Sequence, residues 1–320
     1  MSAEISTIID QNGNRIVEAM YANRPAWHGL GEIFDENGTA AADSETAMEL
    51  AHLDWHVSKE QLYLGDGAPA RDCFATVRDD TGDVLGAVGS RYSVLQNRES
   101  FAFLDSLAQD RVMTYESAFA LKGGAQVCLL ARLPSVDQIA AGDEQLRYVM
   151  LRTSHDGSAA IDLVPTSVRV VCANTIRAAI GQAKDRKLSI RHTGNLDGKL
   201  RQAQSYLALF DKQFSEYADA ARRLAETPYT RDQAAQFIDK LFPVPQTGSK
   251  RTRRSRDRKV MAIRQAFNHR SNQIEDIRGT FWQLVNSVSY AVGHYRKLNK
   301  HKGRPRTRSP PTTHPDDARA

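Results

Sequence analysis

The hydrophobic period of this chain changes once, near Asp197, and that change narrows the folds open to it. Ahead of Asp197, short apolar and aromatic runs alternate with Gly, Asp and Pro, the pattern of strands joined by turns. Behind it, Leu200, Ala203, Tyr206, Leu207, Phe210, Phe214 and Tyr217 recur at helical spacing on one stripe. The two patterns predict an α+β body, mostly antiparallel sheet with interspersed helices. A helical C-terminal region and a disordered basic tail follow. With 320 residues, 41% of them hydrophobic, the chain can bury a core over most of its length.

Residues 1–22 carry few apolar side chains and are expected to be peripheral, with a body over 23–196. The Pro and Gly residues of Arg24-Pro25-Ala26-Trp27-His28-Gly29-Leu30-Gly31 mark an irregular loop, in which Trp27 is expected to anchor in the core. Ser44 is placed as the cap of a helix running to Ala51, and Trp55–Ser58 as a first strand. Cys73–Arg78 and Val84–Gly89 form a hairpin around Asp79-Asp80-Thr81-Gly82-Asp83, extended by Arg91–Leu95. Asn97 caps a helix carrying Phe101, Leu104 and Leu107. Met113–Ala120 and Gln126–Leu133 form a second hairpin around Gly123-Gly124. Leu146–Thr153, Ile161–Pro165 and Val168–Cys172 are three more strands, and Asn174 starts a helix.

Residues 197–242 read as a helical extension of the body, ending in a helix from Arg231 that Thr230 and Gln233 close with a capping box. Residues 243–259 read as a basic linker, 260–297 as a helical segment and 298–320 as the tail.

The net charge of +5 conceals a division. Residues 241–320 carry 18 Lys and Arg against 5 Asp and Glu, a net of +13. Residues 1–240 carry 25 against 33, a net of −8. Such a split points to a polyanion for one end, because clustered cations release counterions from phosphate chains. A solubilising tail is the plain alternative. The densest stretch holds Lys250, Arg251, Arg253, Arg254, Arg256, Arg258 and Lys259 within ten residues. If extended, it tracks a phosphate backbone; if helical, its charges are expected to ring the helix. Trp282, Tyr290 and Tyr295 follow at helical spacing and either stack on bases or form a core or oligomer face.

No stretch has the roughly 20 apolar residues of a membrane helix, and residues 1–15 lack a signal-peptide layout. Cys73, Cys128 and Cys172 are odd in number and widely spaced, which argues against a disulfide framework or a zinc site and for the cytoplasm of a bacterial host. His28, His155 and His192 lack metal-ligand spacing, so no metal is expected, and no cofactor is implied. No phosphate loop, dinucleotide fingerprint, nucleophile elbow or HExxH helix occurs, and an enzyme is not favoured. Cys172 lies in an apolar run, as a structural thiol does.

The densest polar group is His155, Asp156, Arg169, Asn174 and Arg177. His155-Asp156 is read either as an oriented general base or as turn chemistry before Gly157. Arg169 with Asn174 at a helix start suits a phosphate, or else a polar network that holds the fold.

Five blocks in order carry a resemblance. They are Trp27-His28-Gly29-Leu30-Gly31, Arg91-Tyr92-Ser93-Val94-Leu95-Gln96-Asn97, Ser154-His155-Asp156-Gly157-Ser158, Arg169-Val170-Val171-Cys172-Ala173-Asn174-Thr175 and Arg191-His192-Thr193. The chain resembles the phage/plasmid-like protein family that contains domain of unknown function 932, over about Asn23 to Phe242, with the basic end outside that pattern. The resemblance implies carriage on phages or plasmids and supplies no reaction. The order helix, Trp-led strand, hairpin, helix over Ser44–Leu107 is also similar to the core of Rad-type single-strand annealing proteins, which implies binding of single strands, often as rings.

The leading expectation is a nucleic-acid-binding protein of a mobile element, with single-stranded DNA favoured and a homo-oligomer possible. Its contacts are Arg91, Arg169 and Arg177 in the body and Lys250–Lys259 beyond it. The alternatives are an enzyme of unknown class around His155, Asp156, Arg169 and Asn174, and a counter-defence or structural protein acting through protein partners.

Overall fold

The computed structural model describes residues 4–10, 12–23, 25–26, 28–34, 43–108, 113–183, 186–193, 198–199, 207–244, 249–268 and 274–299. Its contacts divide the chain into two units. One is Met1–Ile139 with Glu144–Asp219, and the other is Ala140–Asp143 with Ala220–Ala320. The boundary therefore falls inside the stretch expected to be a helical extension of the body.

The first unit is built on a seven-stranded sheet. Its strands are β3 (Ala19–Ala22), β4 (Glu32–Phe34), β8 (Thr114–Leu121), β9 (Gln126–Ala140), β10 (Asp143–Ser154), β11 (Ile161–Thr166) and β12 (Leu188–Ile190). They lie in the order β12-β11-β10-β9-β8-β3-β4, and the β3–β4 pair alone of the recorded pairs is parallel. A separate antiparallel sheet holds β5 (Val57–Tyr63), β6 (Pro69–Arg78) and β7 (Val84–Gly89). A small ribbon pairs β1 (Thr7–Ile9) with β2 (Arg15–Val17). The fold is α+β and mostly antiparallel, as the strand-and-turn pattern predicts.

The central strands are apolar on both faces because both faces are covered. Val127, Leu129 and Ala131 of β9 point to one side with Val149 and Leu151 of β10. They pack with α1 (Ser44–Leu50), α2 (Asn97–Ala108) and Phe210 and Phe214 of α4 (Leu207–Glu226). Cys128, Leu130, Tyr148 and Met150 point to the other side, against the 170–173 segment and α3 (Ala173–Ala183).

Several local expectations are corrected. The N-terminal segment is not peripheral, since Ala19, Met20 and Tyr21 are wholly buried as β3, between β4 and β8. A run of four residues is too short to show a periodic pattern, and its neighbours in the sheet bury it. The cap of α1 is Asp43, whose Oδ1 accepts from Thr46 N at 2.8 Å. Strand β7 ends at Gly89, and Tyr92 makes only a single bridge to Thr193. Asn97 caps nothing: its side chain turns inward and donates to Leu53 O at 3.0 Å. Residues 168–172 form no strand. They run irregularly over the sheet, and Ser117 Oγ donates to Val170 O at 2.5 Å. Trp27, Leu200, Ala203, Tyr206, residues 246–248 and the tail from 300 lie outside the described residues, as do the side chains of Asn174 and Tyr295.

Among the described residues the second unit takes in the end of α4 and a 3-10 turn at Glu275–Ile277, and holds α5 (Arg231–Leu241), α6 (Lys250–Phe267) and α7 (Phe281–Asn299) whole. Ile238 of α5, Ala262, Ile263 and Ala266 of α6, and Leu284 and Ala291 of α7 form one apolar cluster. The capping box is present: Gln233 N donates to Thr230 Oγ1 at 3.2 Å and Thr230 N to Gln233 Oε1 at 2.8 Å. The stretch expected to be a basic linker is the first half of α6.

Candidate nucleic-acid interface

The basic block is helical for local reasons. Lys and Arg are good helix formers, and no Gly or Pro interrupts residues 250–267. Ser249 caps the start, its Oγ accepting from Thr252 N at 3.4 Å. Repulsion works against the helix, because Lys250, Arg254 and Arg258 follow one another at spacings of four, where like charges cost about 0.2–0.5 kcal/mol per pair. Packing holds it instead. Arg256 pairs with Asp239 and donates from Nε to Phe242 O at 3.2 Å, while Lys259 Nζ lies 5.7 Å over the Phe242 ring.

By angle the seven cations of the block ring the helix, as expected, but unevenly. At about 100° per residue, Lys250, Arg251, Arg253, Arg254, Arg258 and Arg264 fall within an arc of about 160°. All six are exposed. The opposite side carries Ala262, Ile263 and Ala266 into the cluster. Arg256 and Lys259 lie on that side by angle: Arg256 is half-buried against Asp239 and Phe242, while Lys259 stays exposed beside the Phe242 ring. Of the block, six cations are thus exposed, five of them on the outward arc, and Arg256 alone is half-buried as a brace. Trp282 is buried, with its Nε1 donating to Asp143 Oδ2 at 2.5 Å, and Tyr290 is half-buried in the same cluster, so neither is displayed for stacking.

The arginines proposed for the body are placed differently. Arg169 donates from Nε to Glu116 Oε1 at 2.5 Å and from Nη2 to Ala22 O at 3.0 Å, with 14% of its side chain exposed. It is held inside by a carboxylate and ties the 168–172 segment to β3 and β8, which removes it as a phosphate contact. Arg177 is exposed, 3.9 Å from Glu4, and Arg91 is exposed in the turn after β7.

His155 and His192 belong to an interior network. His155 is wholly buried at the end of β10. Its Nε2 lies 3.0 Å from Asn97 Oδ1, and its ring meets Trp55 edge-on at 5.4 Å. Burial, with His192 nearby, pushes its pKa down to about 3, so the ring is neutral at ordinary pH. Asp156 turns away, its Oδ1 accepting from Ser158 N at 2.9 Å as turn chemistry does. Asp156 also fixes a glycine: a Cβ on Gly86 of β7 would stand 2.7 Å from Asp156 Cα, so only glycine allows that approach. His192 stacks on Tyr92 at 4.9 Å, with Nδ1 3.2 Å from Ser93 O and Nε2 3.2 Å from Thr153 Oγ1. His28 Nε2 lies 3.0 Å from Val171 O, and among the described residues no His, Cys, Asp or Glu group is arranged to hold a metal. The three thiols are unpaired with one another.

Sequence reasoning missed the strongest charge cluster. Arg78, at the end of β6, is wholly buried. It meets Glu18 Oε1 at 2.8 Å and both oxygens of Asp80 at 2.6 and 2.9 Å, and it lies 4.0 Å over the Trp55 ring. Trp55 Nε1 donates to the same Glu18 oxygen at 3.0 Å. Burial raises the Glu18 pKa, against the pull of Arg78. Burial also opposes charge on Arg78, but Asp80 and Glu18 outweigh it and hold its pKa above the ordinary value. The backbone makes room: Gly124, at φ +97°, would carry a Cβ 2.8 Å from Arg78 Nη1. Glu18 and Arg78 are 60 positions apart in different patterns, and no local signal joins them.

The architecture defines a class: an α+β body with a helical unit that displays a cationic helix face. The chain belongs to the family described as Domain of unknown function (DUF932), whose model matches residues 84–317. That match includes α6, so the basic segment lies within the family's extent, contrary to the expectation that it stood outside. No curated protein matches the chain, and no solved structure does. No helix among the described residues is long and apolar enough to cross a membrane.

Proposed function

We propose that this chain is a nucleic-acid-binding protein of phages or plasmids, acting in recombination or replication, and that it holds DNA through the outward face of α6. The observation that carries the reading is the arc of exposed cations on a helix whose other side is packed. A rigid cationic ridge releases counterions from a phosphate chain with little ordering cost of its own. Polyanion contact also relieves the repulsion among Lys250, Arg254 and Arg258. The phage or plasmid setting rests on the five sequence blocks. A role in strand annealing rests on element order alone: α1, β5, β6, β7 and α2 follow one another as that reading requires. The preference for single strands rests on that same element order and on the charge division between the two ends of the chain.

The test is a salt titration of labelled DNA binding by the full chain and by a variant with Lys250, Arg251, Arg253, Arg254 and Arg258 changed to Gln. The plot of log affinity against log salt should flatten by about one unit per cation removed, and affinity at low salt should fall about a hundredfold or more. Equal affinity and slope for the two proteins would refute the proposal.

A further inference from the structure

The cations of α6 are not spread evenly over the exposed arc. At about 100° per residue, Arg253 and Arg264 lie along one flank and Arg251 and Arg258 along the other. Between them runs a mixed crest of Asp257, Lys250, Met261, Arg254 and Gln265. Every one of these side chains is exposed, Met261 to 49%. From Lys250 to Gln265 the crest extends about 22 Å at the rise of an α-helix.

A face serving solubility alone intersperses both charge signs. Here Asp257 is the single acid on the arc, and Met261 sits among the cations. The arc carries no aromatic residue, which is what a single strand needs to stack its bases. A helix about 10–12 Å across with cations on both flanks matches a groove about 12 Å wide with a phosphate wall on each side. The crest then carries the residue types that read base edges: Arg for guanine, Gln for adenine, an apolar group for the thymine methyl. Duplex RNA does not offer this, because its major groove is too deep and narrow to admit a helix.

Resting on the nucleic-acid reading above, we infer that α6 lies in the major groove of duplex DNA, its flanks on the two phosphate walls and Arg254, Met261 and Gln265 against the bases. Arg256, paired with Asp239, and the apolar side of Ala262, Ile263 and Ala266 fix the helix to α5, so the crest is presented on a rigid element.

The experiment selects bound duplexes from a randomised pool with the full chain. It then compares wild type with Met261→Ala, Gln265→Ala and an Arg251→Gln/Arg253→Gln double variant, after matching thermal melts confirm folding. The selected duplex should be bound about tenfold or more tighter than a scrambled duplex, and tighter than either of its single strands. Guanine N7 in the bound site should be protected from methylation. The crest variants should weaken that preference with the salt slope unchanged. The flank variant should weaken all sequences alike and lower the slope by about two. Binding with unprotected N7, or single strands held as tightly as duplex, would overturn the major-groove inference and leave nucleic-acid binding standing. Binding of neither would remove both.

Discussion

The body and the C-terminal helical unit use arginine in opposite ways. In the body, Arg78 meets Glu18 and Asp80, Arg147 forks onto Asp137 at 2.7 and 2.5 Å, Arg152 meets Asp162 at 2.5 Å and Arg169 meets Glu116. Each has lost most of its water, and a desolvated cation is tolerated only with a carboxylate beside it. In α6, Arg256 has such partners in Asp239 and Asp257, while Arg251, Arg253, Arg254, Arg258 and Arg264 stay in solvent. The difference teaches how to weigh a basic residue: a cation enclosed with its counter-charge is committed to the fold, and an exposed one remains available to an external anion.

This contrast breaks most sharply at Arg78. Arg78→Met leaves the Glu18 carboxylate buried without its cation, and unfolding in urea should show a loss of about 3–5 kcal/mol, with DNA affinity of the remaining folded protein unchanged. The five-site Gln variant of α6 should behave in the reverse way, losing affinity while its melting temperature holds or rises as repulsion is removed. If Arg78→Met altered affinity directly, or the α6 variant unfolded, the division between structural and available cations would fail.

A second difference lies in protons. Folded His155 titrates near 3 because it is buried, and an unfolded histidine titrates near 6.5. As pH falls below about 6.5 the unfolded chain gains a proton that the folded chain refuses, so stability drops by about 1.4 kcal/mol per pH unit toward pH 3. His192, also lowered by burial, acts in the same direction. Glu18, raised by burial, acts in the opposite one, since its folded form gains its proton first as pH falls. Arg78 and Asp156 complete the charges around His155. His155→Gln should flatten the decline between pH 6.5 and 4.5 in denaturant titrations of the first unit's transition; an unchanged slope would show that His155 is not what resists the proton.

The smallest effect belongs to the helical unit. Thr230→Ala removes half of the α5 capping box and should lower stability by about 1 kcal/mol, read as a shift in the denaturant midpoint. DNA binding should be retained, because α5 supports α6 from behind through Asp239 and Phe242 and carries none of the crest.

The strand and helix content of the body was legible because alternation and turn chemistry are local. The Asp79–Asp83 turn, the Gly123-Gly124 turn and the Thr230–Gln233 box all stand where their residues point. Failures came where a distant partner overrides a local preference. Asn97 looks like a cap but faces Leu53 O and His155 inside the body. Arg169 looks like an anion contact but finds Glu116, 53 positions away. His155 and Asp156 are adjacent in sequence yet point apart, one into the core and one into its turn.

The sequence by itself determined the element types, the charge division and the presence of a dense cationic block, since all three depend on neighbours along the chain. Only the tertiary structure decided which cations are committed to carboxylates and which face solvent, because burial and pairing join residues far apart in sequence. The packing of Ala262, Ile263 and Ala266 against α5 and α7 turned that block from a linker into a helix with an inner and an outer side.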